Sequence, residues 1–151
     1  MRPIARILLS LTCLAMIAGC AYRQVVSSVP DVPSPPAADA LPAELLDAHW
    51  QVFEIEGKPV LQSSRVSMGF LDANRVAGSS SCNRYNASFV LVEGVVHVGP
   101  AAGTLMACAP ESMQQERRFL DALAKVKRYE LGPDGQLILG DGTRVLIRAK
   151  R

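Results

Sequence analysis

Four cysteines, two histidines and a run of three serines are the residues from which this chain would have to build chemistry. Cys82 and Cys108 are the thiols that remain once the first twenty residues are set aside. Paired, they would form a structural disulfide, the one intramolecular pairing left in an exported chain, where oxidising conditions let such bonds persist. Closing that loop would stabilise the fold by roughly 3–4 kcal/mol on the chain-entropy model. A nucleophilic thiol would need a base nearby. The only histidines are His49 and His97, and neither has a flanking pattern that recommends it. A zinc site would call for close-set Cys or His pairs, which the spacing does not supply.

The other polar candidates have plain structural uses. Asn83 tolerates left-handed backbone and can bond its own turn, so it reads as a turn former beside Cys82. Arg84 is a candidate for binding an anion or a partner's carboxylate, with a solvated or salt-bridged arginine as the simpler alternative. Tyr85 follows them, and Thr104 is placed to hydrogen-bond the loop that delivers Cys108. Glu116 has no second carboxylate to work with as an acid or base, so tethering its helix to a neighbouring loop is the simpler role. Ser79-Ser80-Ser81 lacks the strand-turn-helix setting of a nucleophile elbow. His97, among valines, is expected to be partly buried and hydrogen-bonded, and His49 to be exposed. No catalytic constellation emerges, and no metal or cofactor is expected.

These residues need a scaffold, and the chain divides into three parts: 1–19, 20–44 and 45–151. Arg2 and Arg6 precede an uncharged apolar run, residues 7–17, too short to cross a bilayer, which takes about 20 residues. It fits the apolar segment of a secretory signal. The run ends in Ile17-Ala18-Gly19-Cys20, a pattern that resembles a bacterial lipoprotein signal with Cys20 lipidated and first in the mature chain. Ordinary secretion with Cys20 as a stray thiol, or a retained anchor, are the alternatives. Two or more acyl chains would anchor the protein firmly. Ala21 after the cysteine, by resemblance to lipoprotein sorting, implies the outer membrane. From 21 to about 41, Pro30, Pro33, Pro35 and Pro36 favour an extended tether.

The charge balance gives nothing to nucleic acid. The chain has 16 Lys and Arg against 14 Asp and Glu. Without Arg2 and Arg6 the basic count is 16 − 2 = 14, so the mature chain is near neutral, where a nucleic-acid binder would show a basic excess.

Within 45–151, eight strands are expected from period-two alternation and turn residues. They are Trp50 to Ile55, Val66 to Phe70, Arg75 to Gly78, Tyr85 to Leu91, Val95 to Val98, Arg128 to Leu131, Gln136 to Leu139 and Arg144 to Arg148. One helix is expected from Pro110, with Met113, Glu116, Phe119, Leu120, Leu123 and Val126 at helical spacing. The fold class is mainly β. It is a small antiparallel barrel-like or strongly curved sheet of about seven or eight strands, one helix packed over an open side.

Several motifs in order carry a resemblance: Trp50 with Gly57, Phe70, Val76-Ala77-Gly78, Cys82-Asn83-Arg84-Tyr85, Thr104-Leu105-Met106-Ala107-Cys108, and Met113, Glu116, Phe119 and Leu123. From about Ala48 to Leu146 the chain resembles the META/HslJ-like domain, a family named partly for a heat-shock lipoprotein. Ser81 stands where that family commonly has glycine before the cysteine, and Ala87 where a glycine is common after the tyrosine. The resemblance implies a β-rich, barrel-like domain with a helix, a role in stress tolerance or envelope maintenance, and no enzymatic residue set.

The expected protein is therefore a periplasm-facing lipoprotein of the outer membrane, held by its lipid at Cys20. Its domain is expected to be monomeric and to act as an interaction or assembly module for an envelope protein. The alternative is a carrier of a small apolar ligand. The first expects an exposed apolar patch, the second an enclosed cavity lined by residues such as Phe70, Phe89 and Met106.

Overall fold

Two reversals of the chain rest on the same dipeptide. Glu56 (φ 49°) with Gly57 (φ 74°), and Glu93 (φ 51°) with Gly94 (φ 74°), place both central residues at positive φ. That is the geometry of the two-residue hairpin turn whose twist matches its strands. The first joins β1 (His49–Ile55) to β2 (Lys58–Pro59), the second β5 (Arg84–Val92) to β6 (Val95–Val98).

The computed structural model describes residues 37–46, 48–72 and 74–151. The leader, Cys20 and the proline-rich segment up to residue 36 lie outside the described residues. The other elements are α1 (Ala43–Leu46), β3 (Arg65–Asp72), β4 (Arg75–Ser81), β7 (Ala102–Gly103), α2 (Pro110–Ala124), β8 (Arg128–Leu131), β9 (Leu137–Gly140) and β10 (Val145–Lys150). All pairings are antiparallel, in the order β6-β5-β4-β3-β1-β10-β9-β8, with β2 added beside β1 and β7 beside β5. The sheet does not close. Its two ends are linked near the rim, where the Val96 N–H of β6 donates to the Lys127 carbonyl just before β8, at 2.9 Å.

All eight strands expected from alternation are present, and the count rises to ten because β2 and β7 contain two residues each. Two residues carry no period, so alternation has no means of finding them. The short helix α1 was not foreseen either. It straddles the expected boundary between tether and domain at 44/45, and the folded part begins earlier than expected: Leu41 is buried and the Asp39 N–H donates to Leu91 O at 2.7 Å.

One face of the sheet makes the core. Along β5, Tyr85, Ala87, Phe89 and Leu91 are buried while Arg84, Asn86 and Ser88 are exposed, which is what a pleated strand with one wet face requires. Trp50, Met68, Phe89, Leu139 and Ile147 are fully buried, each worth about 1.5–3 kcal/mol of transfer free energy. Helix α2 packs on this face against β4, β10 and β1, burying Phe119, Ala122 and Leu123, with Val126 buried just past its end. Its Phe119 ring meets Tyr85 edge-on at 5.3 Å. Pro110 opens the helix at a position whose missing N–H costs nothing.

Two expectations about facing are corrected. His97 is exposed, because Leu91 pairs with Val96 in the register of β5 and β6 and so turns Val96, not His97, to the core. Met106 is 58% exposed, while Phe70 and Phe89 touch edge-to-face at 4.8 Å between ring centres. These three residues therefore do not line a common enclosed cavity.

Ser81, at the end of β4, has φ 111°, a backbone that glycine adopts freely and a residue with a Cβ adopts at a cost of about 1–3 kcal/mol. This is one of the two positions where a glycine was expected from the resemblance. Ser81→Gly is expected to be more stable than Ser81→Ala by about 1 kcal/mol or more in urea unfolding, reversing the usual order in which alanine is favoured. An alanine variant as stable as the glycine variant would show that the backbone there is unstrained.

Candidate functional site

Helix α2 places two neighbouring polar side chains, Gln115 and Glu116, against the ends of β3, β4 and β5. Gln115 is buried. Its Oε1 accepts from the Leu61 N–H at 2.8 Å, and its Nε2 donates to Ser64 Oγ at 2.6 Å and to Ser81 Oγ at 3.2 Å. Glu116 grips the turn between β4 and β5. Its Oε2 accepts from the Asn83 N–H at 2.8 Å and lies 2.6 Å from Ser80 Oγ, and its Oε1 accepts from Asn83 Nδ2 at 2.9 Å. Ser80 Oγ also lies 2.9 Å from Asn83 O. One hydroxyl proton cannot serve both acceptors fully, and the charged carboxylate is the stronger.

Asn83 is itself buried and satisfied on both ends of its amide. While Nδ2 faces Glu116, Oδ1 accepts from Thr104 Oγ1 at 2.7 Å and from the Met106 N–H at 2.8 Å. Thr104 Oγ1 in turn accepts from the Arg84 N–H at 3.2 Å. Four residues after Thr104, Cys108 is bonded to Cys82 with an S–S length of 2.04 Å and Cα atoms 5.9 Å apart. The loop from Thr104 to Cys108 is thus held at its start by Thr104, at its middle by a backbone N–H and at its end by a covalent bond. What it leaves outside is apolar: Leu105 is fully exposed and Met106 58% exposed.

The expected candidates thus converge. Asn83, Thr104, Glu116, Cys82 and Cys108 form one connected cluster. Tyr85 points the other way, into the core, where burial pushes its phenol well above the ordinary range and its hydroxyl donates to Ser67 O at 3.3 Å. Arg84 is exposed and makes no ion pair among the described residues. His49 is exposed, as expected. Cys20 lies outside the described residues.

Sequence reasoning missed Ser80, Ser64 and Gln115. A signal for the last existed: Gln115, Phe119, Ala122 and Val126 are separated by four, three and four residues, the inner stripe of a helix. A polar residue on that stripe must find partners.

A groove of about 510 Å³ opens beside the cluster, lined by residues of β1, β3, β4 and β5 and by Thr104 and Met106. Gly78 borders it. A Cβ there would sit 2.0 Å from Ser67 O, so only glycine lets the two backbones approach.

The META domain family model matches residues 43–151, which include every member of this cluster. A search of curated proteins finds no match. Among solved structures, an NMR structure of a Burkholderia xenovorans protein is 23% identical with a TM-score of 0.55, covering 82% of this chain and 98% of that one. A further NMR structure is 23% identical with a TM-score of 0.56, covering 73% and 94%. Both likenesses are ones of fold.

Partial burial pushes the Glu116 carboxyl up, but the hydrogen bonds from the Ser80 hydroxyl, the Asn83 amide and the Asn83 and Cys82 backbone outweigh it and hold the group below the ordinary glutamate range. A carboxyl depressed by folding contributes stability above its unfolded pKa, about 4.3, and loses it as pH falls through the lower folded value. Glu116→Gln is therefore expected to lower stability by about 1–2 kcal/mol at pH 7, with the gap to wild type narrowing below pH ~4. Paired urea titrations across pH 3–7 would check this. A gap constant with pH would remove the carboxylate from the account.

Proposed function

The chain belongs to the META domain family, and on that premise we propose that it is a non-enzymatic, lipid-anchored protein of the cell envelope whose domain docks a protein partner. The observation that carries the docking role is the loop from Thr104 to Cys108. Leu105 and Met106 are large, apolar and exposed, yet the backbone that bears them is fixed by Asn83 and by the Cys82–Cys108 bond. An apolar side chain presented from ordered backbone suits association, because little conformational entropy remains to be lost when it is buried in a partner.

A binding role also fits the chemistry of the cluster. Both thiols of the domain are consumed in a bond to each other, and the Glu116 carboxylate is held by structural donors and kept ionised. The membrane part of the proposal rests on Ile17-Ala18-Gly19-Cys20 and the apolar run before it. It places the protein on the outer membrane, facing the periplasm, with the segment after Cys20 as spacer. The carrier alternative loses its expected lining, since Phe70 and Phe89 pack on each other and Met106 faces outward.

The test uses cells making the full chain with a photo-cross-linking residue at position 105, or at position 130 on the edge strand β8 as control, together with metabolic labelling by palmitate. The expected result is a palmitate-labelled chain, unlabelled in Cys20→Ala, and one discrete protein adduct from position 105. That adduct should be lost in Cys82→Ser/Cys108→Ser. An unlabelled chain would overturn the anchor. Equal adducts from both positions, or none from 105, would overturn the docking loop.

A further inference from the structure

The groove beside the cluster has a chemical bias that the docking loop does not explain. Strand register places its two arginines on one face. Ser79 pairs with Arg84 across β4 and β5, and Ala77, two residues before Ser79, pairs across β4 and β3 with Gly69, which is followed back along β3 in steps of two by Ser67 and Arg65. Paired residues share a face, as do residues two apart on one strand. Arg65 and Arg84 therefore rise from the same side of the sheet, on the strands flanking β4, and both line the groove together with His49. None of the lining residues is acidic. Among the described residues, the ion pairs use Arg75, Lys125, Arg144 and Arg148, and leave Arg65 and Arg84 without a carboxylate.

The neutral groups of the groove are already committed to the fold. Ser67 Oγ accepts the Ser79 N–H, Ser79 Oγ donates to Arg65 O, and Gln51 Nε2 donates to Val66 O. Thr104 Oγ1 is shared between Arg84 N and Asn83 Oδ1. What the groove offers a ligand is thus chiefly two guanidinium forks, beside His49, over a floor whose hydroxyls are already bonded to the backbone or to Asn83. A fork of that kind fits the planar pair of oxygens on a carboxylate or phosphate, and a volume of about 510 Å³ is that of a small-molecule site.

We propose that this groove is a binding site for a small organic anion, bound through a carboxylate or phosphate group by Arg65 and Arg84. The groove shares Met106 with the docking loop but not the fully exposed Leu105, and the titration reads the two arginines alone, so its failure would leave the docking proposal standing.

The test is calorimetric titration of the purified, oxidised full chain at low salt with citrate and with inorganic phosphate, and with glycerol as an uncharged control. Saturable one-to-one binding of at least one anion is expected, with none for glycerol. It should weaken about tenfold in Arg65→Gln or Arg84→Gln, vanish in the double variant and persist in Arg144→Gln, whose arginine lies in the turn before β10, paired with Asp141. Binding of citrate alone would assign carboxylate chemistry, and of phosphate alone phosphate chemistry. No saturable binding of either anion, or binding that survives the double variant, would overturn the proposal.

Discussion

The clasp between Asn83 and Glu116 is the interaction on which the rest of this end of the molecule depends. A carboxylate from a helix meets the backbone N–H and side-chain amide of one buried asparagine at 2.8 and 2.9 Å. Such paired, charge-assisted bonds fix geometry as well as contribute energy. The clasp leaves the opposite end of the asparagine amide free to accept from Thr104 and Met106. A helix on the core side of the sheet and the loop that leaves β7 are thereby set by one side chain. Buried polar groups linked in this way are costly when half satisfied, and here each amide group of Asn83 has a partner.

Gln115 extends the same logic. It joins the loop before β3 to the end of β4, so two successive residues of α2 tie down the β2–β3 and β4–β5 connections. The disulfide adds a constraint of another kind. It acts chiefly on the unfolded chain, closing a segment with a sequence separation of 26, which on the entropy model is worth about 3.5 kcal/mol. Hydrogen bonds select the conformation of the loop, and the covalent bond limits how far it can depart. Leu105 can then stay outside without the backbone around it becoming loose.

Much of this was legible in the chain. Alternation in β5 and the helical stripe ending at Val126 reflect a boundary between water and core that every residue there must respect. The two Glu-Gly turns are local, so they could be read locally. The pairing of Cys82 with Cys108 followed from having no other partners, and Glu116 was correctly read as a tether for its helix. What escaped depended on contacts distant in sequence. Nothing within a few residues of Asn83 indicates that its carbonyl oxygen would hold Met106. Strands of two residues have no pattern of their own, and exist because β1 and β5 offer free backbone edges. The facing of His97 turned on a register set by Leu91 and Val96, since alternation groups residues by face without saying which face is wet. The shared face of Arg65 and Arg84 came from pairing across three strands, which only the assembled sheet displays.

Glu116 thus acts on the loop from Thr104 to Cys108 through Asn83, although it makes no hydrogen bond to that loop's exposed residues. Amide hydrogen exchange at Met106 in Glu116→Ala, with the disulfide intact, tests it most directly. Exchange there is expected to be about tenfold or more faster than in wild type, while the amide of Leu139 in the core keeps its protection. Unchanged protection at Met106, with loss confined to Asn83, would mean that the loop is held without the helix and would contradict the account.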